Sequence, residues 1–336
     1  MRSLAWLGVV AALSCGCTAA TDDSADDDSG PTASRPAGST TPGEPTPTPT
    51  AASEPTTTAT SDATPSAAPP ARIDVDRIRA DVRHLAGRIG PRHATSPAYR
   101  RAADWVAQRF TALGYDVSRQ RFDVPAGDSW GVPVDAGRSS NVIADPPRFD
   151  PRAPHLVVGA HLDTVAVAPG AEDNASGVAS VLEIARVAAT NGTRLPVRFV
   201  AFGAEEPRGP GDDLHHFGSQ HLVATLGPAQ REAVRGMASL DRVGVRGPDV
   251  PICDAGQGPA RVRRALVERA GGVPTSTCED RASDHWSYAK AGIAAARIGS
   301  IPYAGYHSAG DVPRVVDDRQ LRRSATVAWR WIKTTS

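Results

Sequence analysis

The stretch Leu156-Val157-Val158-Gly159-Ala160-His161-Leu162-Asp163 runs five apolar or small residues into an imidazole and then a carboxylate. A short run that is apolar on both alternate faces reads as a central strand covered on both sides. Sheets with such strands lie between layers of helices, and their chemistry gathers at the carboxyl ends of the strands. His161 and Asp163 stand at such an end.

The pattern repeats on either side of this strand. Val197 to Phe202 forms a second buried strand that ends in Gly203-Ala204-Glu205-Glu206, and Met237-Ala238-Ser239-Leu240 a third, closed by Asp241. Asn141-Val142-Ile143-Ala144 adds a fourth. Helical apolar spacing appears from Ile73 to Leu85. It returns from Tyr99 to Leu113, where Trp105, Val106, Phe110 and Leu113 share one side. Gly114 stops that helix and Tyr115-Asp116-Val117 opens a strand. Ala175 to Ala189, Val262 to Ala270 and Leu321 to Ile332 read as further helices. Alternation of this kind predicts a three-layer α/β/α sandwich over residues 72–336.

At 336 residues with a formal net charge of zero, the chain carries no electrostatic signal for nucleic acid or an acidic membrane surface, and no nucleic-acid partner is expected. Only Lys290 and Lys333 are lysines. Arginines such as Arg263, Arg264, Arg322 and Arg323 read as solvated helix faces.

Residues 1–17 read as an export signal, with Arg2 before an apolar core from Leu4 to Leu13. That core falls short of the roughly 20 residues a bilayer-spanning helix needs. Cys15 and Cys17 at its end suggest lipid attachment, although Leu13 lies four residues before Cys17 and two before Cys15, an imperfect lipobox. Lipidation and plain secretion after Thr18-Ala19-Ala20 both stay open. Either way the chain is expected outside a bacterial cytoplasmic membrane, secreted or held to its outer side by an N-terminal lipid. Residues 18–71 read as a disordered Thr/Pro/Ser/Ala-rich linker, too poor in large apolar groups to form a core. Cys253 and Cys278 lie in the folded part. A disulfide suits an exported protein, and a zinc pair is the alternative.

Five potential metal ligands stand at element ends: His161, Asp173, Glu206, Asp241 and His307. Each has a bland reading. His161 with Asp163 fits a strand-end turn, with Asp163 also suited to accept the far ring N–H of His161. Asp173 fits a helix N-cap, and His307 a turn near the C-terminus. Glu205 beside Glu206 is harder to dismiss, since adjacent carboxylates at a buried strand end are costly without a cation. Two imidazoles and three carboxylates suit two zinc ions, leaving Glu205 as a base on activated water. His215, His216 and His285 read as surface or supporting groups, and Trp286 and Tyr303 as candidate pocket residues.

The motifs Gly159-Ala160-His161-Leu162-Asp163, Gly170-Ala171-Glu172-Asp173-Asn174-Ala175-Ser176-Gly177 and Phe202-Gly203-Ala204-Glu205-Glu206 occur in that order. They are followed by Leu240-Asp241, Ser283-Asp284-His285 and Tyr306-His307-Ser308. The set resembles the secreted bacterial two-zinc aminopeptidases of the leucine type, which are co-catalytic zinc exopeptidases. That resemblance spans nearly all of the chain from Ile73 onward and implies their fold, with a mostly parallel mixed sheet. It implies that His161 and Asp241 hold one zinc, Glu206 and His307 the other, and that Asp173 bridges. Glu205 would be general base and acid, Asp163 the support of His161, and Tyr306 a donor to the tetrahedral oxyanion. Peptides with a free N-terminus would be the substrates and a monomer the expected state. The segment from Pro207 to Phe217 departs from the family pattern and puts substrate preference in question.

Other readings remain. Glutaminyl cyclases resemble this family with one zinc, which the full ligand set argues against. A related amidohydrolase or carboxypeptidase keeps the two-metal core. A non-catalytic binding ectodomain would be expected to lose ligands, and none is missing here.

Overall fold

The computed structural model describes residues 70–299 and 303–336. The signal peptide expected over 1–17, and the linker expected over 18–71 apart from its last two residues, lie outside the described residues. Ala71 is tied to Asn191 in both directions. Its N–H donates to Asn191 Oδ1 at 2.9 Å, and Asn191 Nδ2 donates to its carbonyl at 2.8 Å.

The strands are β1 (Asp116–Val124), β2 (Gly127–Asp128), β3 (Pro133–Val134), β4 (Gly137–Asp145), β5 (His155–His161), β6 (Val197–Phe202), β7 (Val234–Leu240), β8 (Val250–Asp254), β9 (Thr275–Glu279) and β10 (Ala295–Ile298). β2 and β3 form a separate hairpin. The others build one eight-stranded sheet in the order β1-β4-β6-β5-β7-β10-β8-β9. Four of its seven pairings are parallel: β5 with β6, β5 with β7, β7 with β10, and β8 with β9.

Alternation along the central strands divides the core. Leu156, Val158 and Ala160 of β5, with Phe199 and Ala201 of β6, face one layer. Val157, Val200, Phe202 and Met237 face the other. The first layer holds α1 (Val75–Val82), α2 (Pro97–Ala112), α3 (Gly177–Asn191), α6 (Arg261–Glu268) and α8 (Asp318–Thr334). The second includes α4 (Phe217–Thr225) and α7 (His285–Lys290), while the short α5 (Pro228–Ala233) leads into β7. The fold is the expected α/β/α sandwich.

Local sequence explains the helix ends. Asp74 caps α1 by accepting the N–H groups of Asp76 and Arg77, and Ser96 caps α2 by accepting that of Tyr99. α1 does not continue as an α-helix to Leu85; the chain widens into a π-helical segment from Arg83 to Ile89. Strands β8, β9 and β10 have no periodicity signal, because they are four or five residues long and β9 is mostly polar. Cys253 on β8 faces Cys278 on β9 in register, with Cα atoms 4.4 Å apart, and the two form a disulfide. Their sulfurs are bonded to each other, which removes the zinc-pair alternative.

Candidate metal centre

β6, β5 and β7 are adjacent and parallel, so their carboxyl ends open on the same edge. His161 closes β5. Beyond β6, Gly203 and Ala204 turn the chain, with Ala204 at φ 54°, and deliver Glu205 and Glu206. Asp241 follows β7 directly. Asp173 comes from the turn Ala171–Ser176 ahead of α3, and His307 from the loop after β10. Five side chains from five segments thus meet at one edge, all buried.

Asp173 lies at the middle of the group. Its Oδ1 is 3.1 Å from His161 Nε2, and its Oδ2 is 3.2 Å from His307 Nε2. His161 Nε2 is also 3.5 Å from Asp241 Oδ1, and His307 Nε2 is 3.2 Å from Glu206 Oε2. Each imidazole therefore has Asp173 on one side and a carboxylate of its own on the other. The two neighbouring glutamates diverge. Ligand atoms of Glu206 cluster within 4.8 Å with those of His161 and Asp173, and Glu205 clusters within 4.8 Å with His161 and Asp241. Tyr306 is half-buried beside them, its ring stacked on His307 at 3.7 Å between centroids.

Backbone contacts hold these segments together. The Asn174 amide donates to the Leu240 carbonyl at 2.9 Å and accepts the Gly177 N–H at 2.9 Å, joining the Asp173 turn to the end of β7. α3 starts so close to β7 that a side chain at Gly177 would collide with the Leu240 carbonyl. Asp311 accepts the Glu172 and Asp173 N–H groups at 2.8 and 3.0 Å.

Asp163 differs from expectation. His161 Nδ1 lies 3.2 Å from the backbone carbonyl of Asp163 and 3.9 Å from its carboxylate. The carboxylate instead accepts the N–H groups of Glu205 and Glu206 at 3.0 and 3.1 Å. The strand ends at His161, so the two-residue side-chain parity of a strand no longer governs Asp163.

The segment from residue 141 to residue 332, more than half of the chain, matches the family model for peptidase family M28. The chain belongs to peptidase family M28. Leupeptin-inactivating enzyme 1 of Streptomyces exfoliatus is 29% identical over 265 residues, 76% of this chain and 54% of that protein. The chain spans about half the length of the curated relatives it matches. Among solved structures, a zinc aminopeptidase from Bacillus subtilis superposes with a TM-score of 0.69 at 18% identity, over 78% of this chain and 95% of that one. A glutaminyl cyclase from Fimbriiglobus ruber does so with a TM-score of 0.67 at 24% identity, over 79% and 96%. At these identities the likeness concerns the fold.

The M28 cleft has the electrostatics of a cation site. His161 Nε2, Asp173 Oδ1 and Glu206 Oε1 are buried without a hydrogen bond. Leaving such atoms unsatisfied costs about 1–3 kcal/mol each, more when charged. Burial, and then the Asp173 charge, push the Glu206 carboxyl up to about 7. A divalent ion among these donors removes both penalties, and an imidazole–carboxylate set is the chemistry zinc favours. These residues fit a metal.

Other buried groups of the M28 chain surround the candidate ligands. His216 places Nε2 3.1 Å from Glu205 Oε1. Arg242 lies 3.2 Å from Asp241 and 3.4 Å from Asp173, and Arg297 lies 3.5 Å from Asp241. Burial alone would raise the Asp241 carboxyl, but these two guanidiniums outweigh it and hold it at about 2. Asp284 is buried, and burial followed by the Glu205 charge raises it to about 7. His285 faces away, toward the Asp280 carbonyl at 3.0 Å, and Trp286 packs with Ala255 and Ala289. The doublet His215-His216 was the one available signal for His216, and it lies in the Pro207–Phe217 segment.

Proposed function

We propose that this M28 chain is an exported, zinc-dependent aminopeptidase that releases N-terminal residues from peptides with a free amine. One observation carries the reading: Asp173 turns one oxygen to His161 and the other to His307, and each imidazole has a further carboxylate, Asp241 or Glu206. That symmetry suits two zinc ions per chain, with Asp173 shared, His161 and Asp241 on one, and Glu206 and His307 on the other. Bound zinc supplies Lewis-acid charge and activates water for attack on the peptide carbonyl.

The chain's own groups do the rest. The Asp163 carbonyl accepts from His161 Nδ1–H and leaves the Nε2 lone pair for the metal. Asp163's carboxylate fixes the backbone of both glutamates. Glu205 has Oε1 against His216 and Oε2 3.9 Å from His161 Nε2. Oε2 is therefore the oxygen that takes the proton of the attacking water and returns it to the leaving amine. Tyr306, beside His307, is assigned as the donor to the oxyanion. The N-terminal sequence supports export, as a secreted or lipid-held protein. Among the described residues no helix is long and apolar enough to cross a membrane.

The test is zinc content and turnover on one sample, before and after chelation. About two zinc per chain, with release of leucine from free-amine but not N-blocked peptides, is the expected result. One zinc with cyclisation of N-terminal glutamine would replace this reading by the cyclase alternative. Glu205→Gln is expected to keep its zinc and to lose activity by about 10²–10⁴-fold. Full activity in that variant would remove Glu205 from the role of base.

A further inference from the structure

The hairpin of β2 and β3 breaks a local rule at its tip. Ser129-Trp130-Gly131-Val132 closes a tight turn, with the Val132 N–H donating to the Ser129 carbonyl at 3.3 Å. Both central residues have positive φ, 56° at Trp130 and 85° at Gly131. Asparagine, aspartate or glycine normally takes the first of these places, because a large side chain is strained there. A bulky residue kept in a strained position is a reason to look for function.

Trp130 is also exposed where a large apolar group should be covered. Among the described residues the exposed large hydrophobic side chains are Trp130, at 54%, and Val167, at 41%. They belong to one rim. Ser129 Oγ accepts the Ala166 N–H at 2.9 Å, so Trp130 and Val167 are each the next residue beyond that hydrogen bond. The Trp130 ring meets His307 edge-on, 4.3 Å between centroids, and Tyr306 at 6.0 Å.

A cavity of about 330 Å³ opens beside the indole, lined by Asp128, Trp130, Pro207, Gly209, Pro210 and His215. Its far wall is the segment that follows Glu205 and Glu206. The hairpin is docked on that segment: Asp128 N–H donates to the Arg208 carbonyl at 3.1 Å, and Gly127 leaves no room for a Cβ there. One apolar rim therefore runs from a candidate metal ligand to the loop beyond the candidate base.

We infer that Trp130 is a specificity-determining residue: it receives a large apolar side chain of the peptide next to the scissile bond. This rests on the aminopeptidase reading. The side chain belongs either to the N-terminal residue or to the one after it, and the chemistry recognised is the same.

Two peptide series tell these apart, one varying the first residue through Phe, Leu, Ala and Gly, the other varying the second. The informative variant is Trp130→Asn in the full zinc-loaded chain, since asparagine relieves the turn and unfolding is not expected. In one series kcat/KM for the Phe and Leu members should fall about tenfold, while the Ala and Gly members change less than twofold. Zinc content should stay the same and the melting temperature should hold or rise. An equal change across both series, or none, overturns the inference. Binding of the same peptides to Glu205→Gln, with and without Trp130→Asn, reads the contact without turnover. No turnover by the wild type, together with selective loss of Phe and Leu peptide binding, would sink the aminopeptidase reading and leave the Trp130 contact standing.

Discussion

His216 Nε2 lies 3.1 Å from Glu205 Oε1, and both side chains are buried. The contact occupies one oxygen of Glu205 and points the other at the cleft. The His216 N–H also donates to the Glu205 carbonyl at 2.9 Å, so side chain and backbone are held by the same residue. Positioning the base accounts for a share of the 10²–10⁴-fold that such a base typically contributes, so a loss of roughly tenfold is expected. His216→Gln is expected to lower kcat by that amount with KM and zinc content unchanged. Loss of zinc in step with activity would instead make His216 part of the metal site.

His161 and His307 stand on opposite sides of Asp173, which predicts unequal damage from removing one imidazole. On the proposed two-zinc reading, His161→Ala should lose about one of the two ions, since Asp173, Glu206 and His307 keep the second set of donors. Metal analysis after gel filtration measures this directly. Two retained ions would exclude His161 from the ligands.

Asp81 on α1, outside the candidate ligand set, also responds to pH. Its carboxylate contacts Arg109 at 2.9 Å, yet burial outweighs that attraction and raises the carboxyl to about 6. The unfolded value is about 3.9, so the folded chain holds this proton more tightly. The resulting stabilisation is full below about pH 4 and is lost as pH rises through about 6. Relative to Asp81→Asn, the wild type should gain up to about 3 kcal/mol as pH falls from 7 to 4. Urea melts in chelator at several pH values supply the comparison, and a constant difference would mean that Asp81 titrates normally.

The disulfide closes 25 residues between two strands at the sheet edge. Chain-entropy arguments give such a loop roughly 3 kcal/mol. Cys278→Ser should lower stability by about that much while leaving zinc content intact, because neither β8 nor β9 supplies a candidate ligand. Denaturant melts with and without reductant check it, and the variant should show no further response to reductant.

Much of the sandwich was readable from local pattern. The runs around Leu156, Val197 and Met237 are apolar on both faces, which only a covered strand tolerates, and α2 and α8 show periodic apolar faces. The short strands β8 and β10 were not readable, because their pairing comes from neighbours distant in sequence. The same limit applies to charge. Arg242 and Arg297 resemble the surface arginines of this arginine-rich chain until the fold buries them against Asp241.

The sequence alone determined the covered strands and the ligand-type residues at their ends, since both follow from hydrophobicity and local order. Tertiary structure decided the rest, because it depends on distances between segments that are remote along the chain. It put His161 and His307 on the two oxygens of Asp173. It moved the carboxylate of Asp163 from an imidazole to two backbone N–H groups. It also brought His216 to Glu205 and Trp130 to His307, contacts that no periodicity encodes.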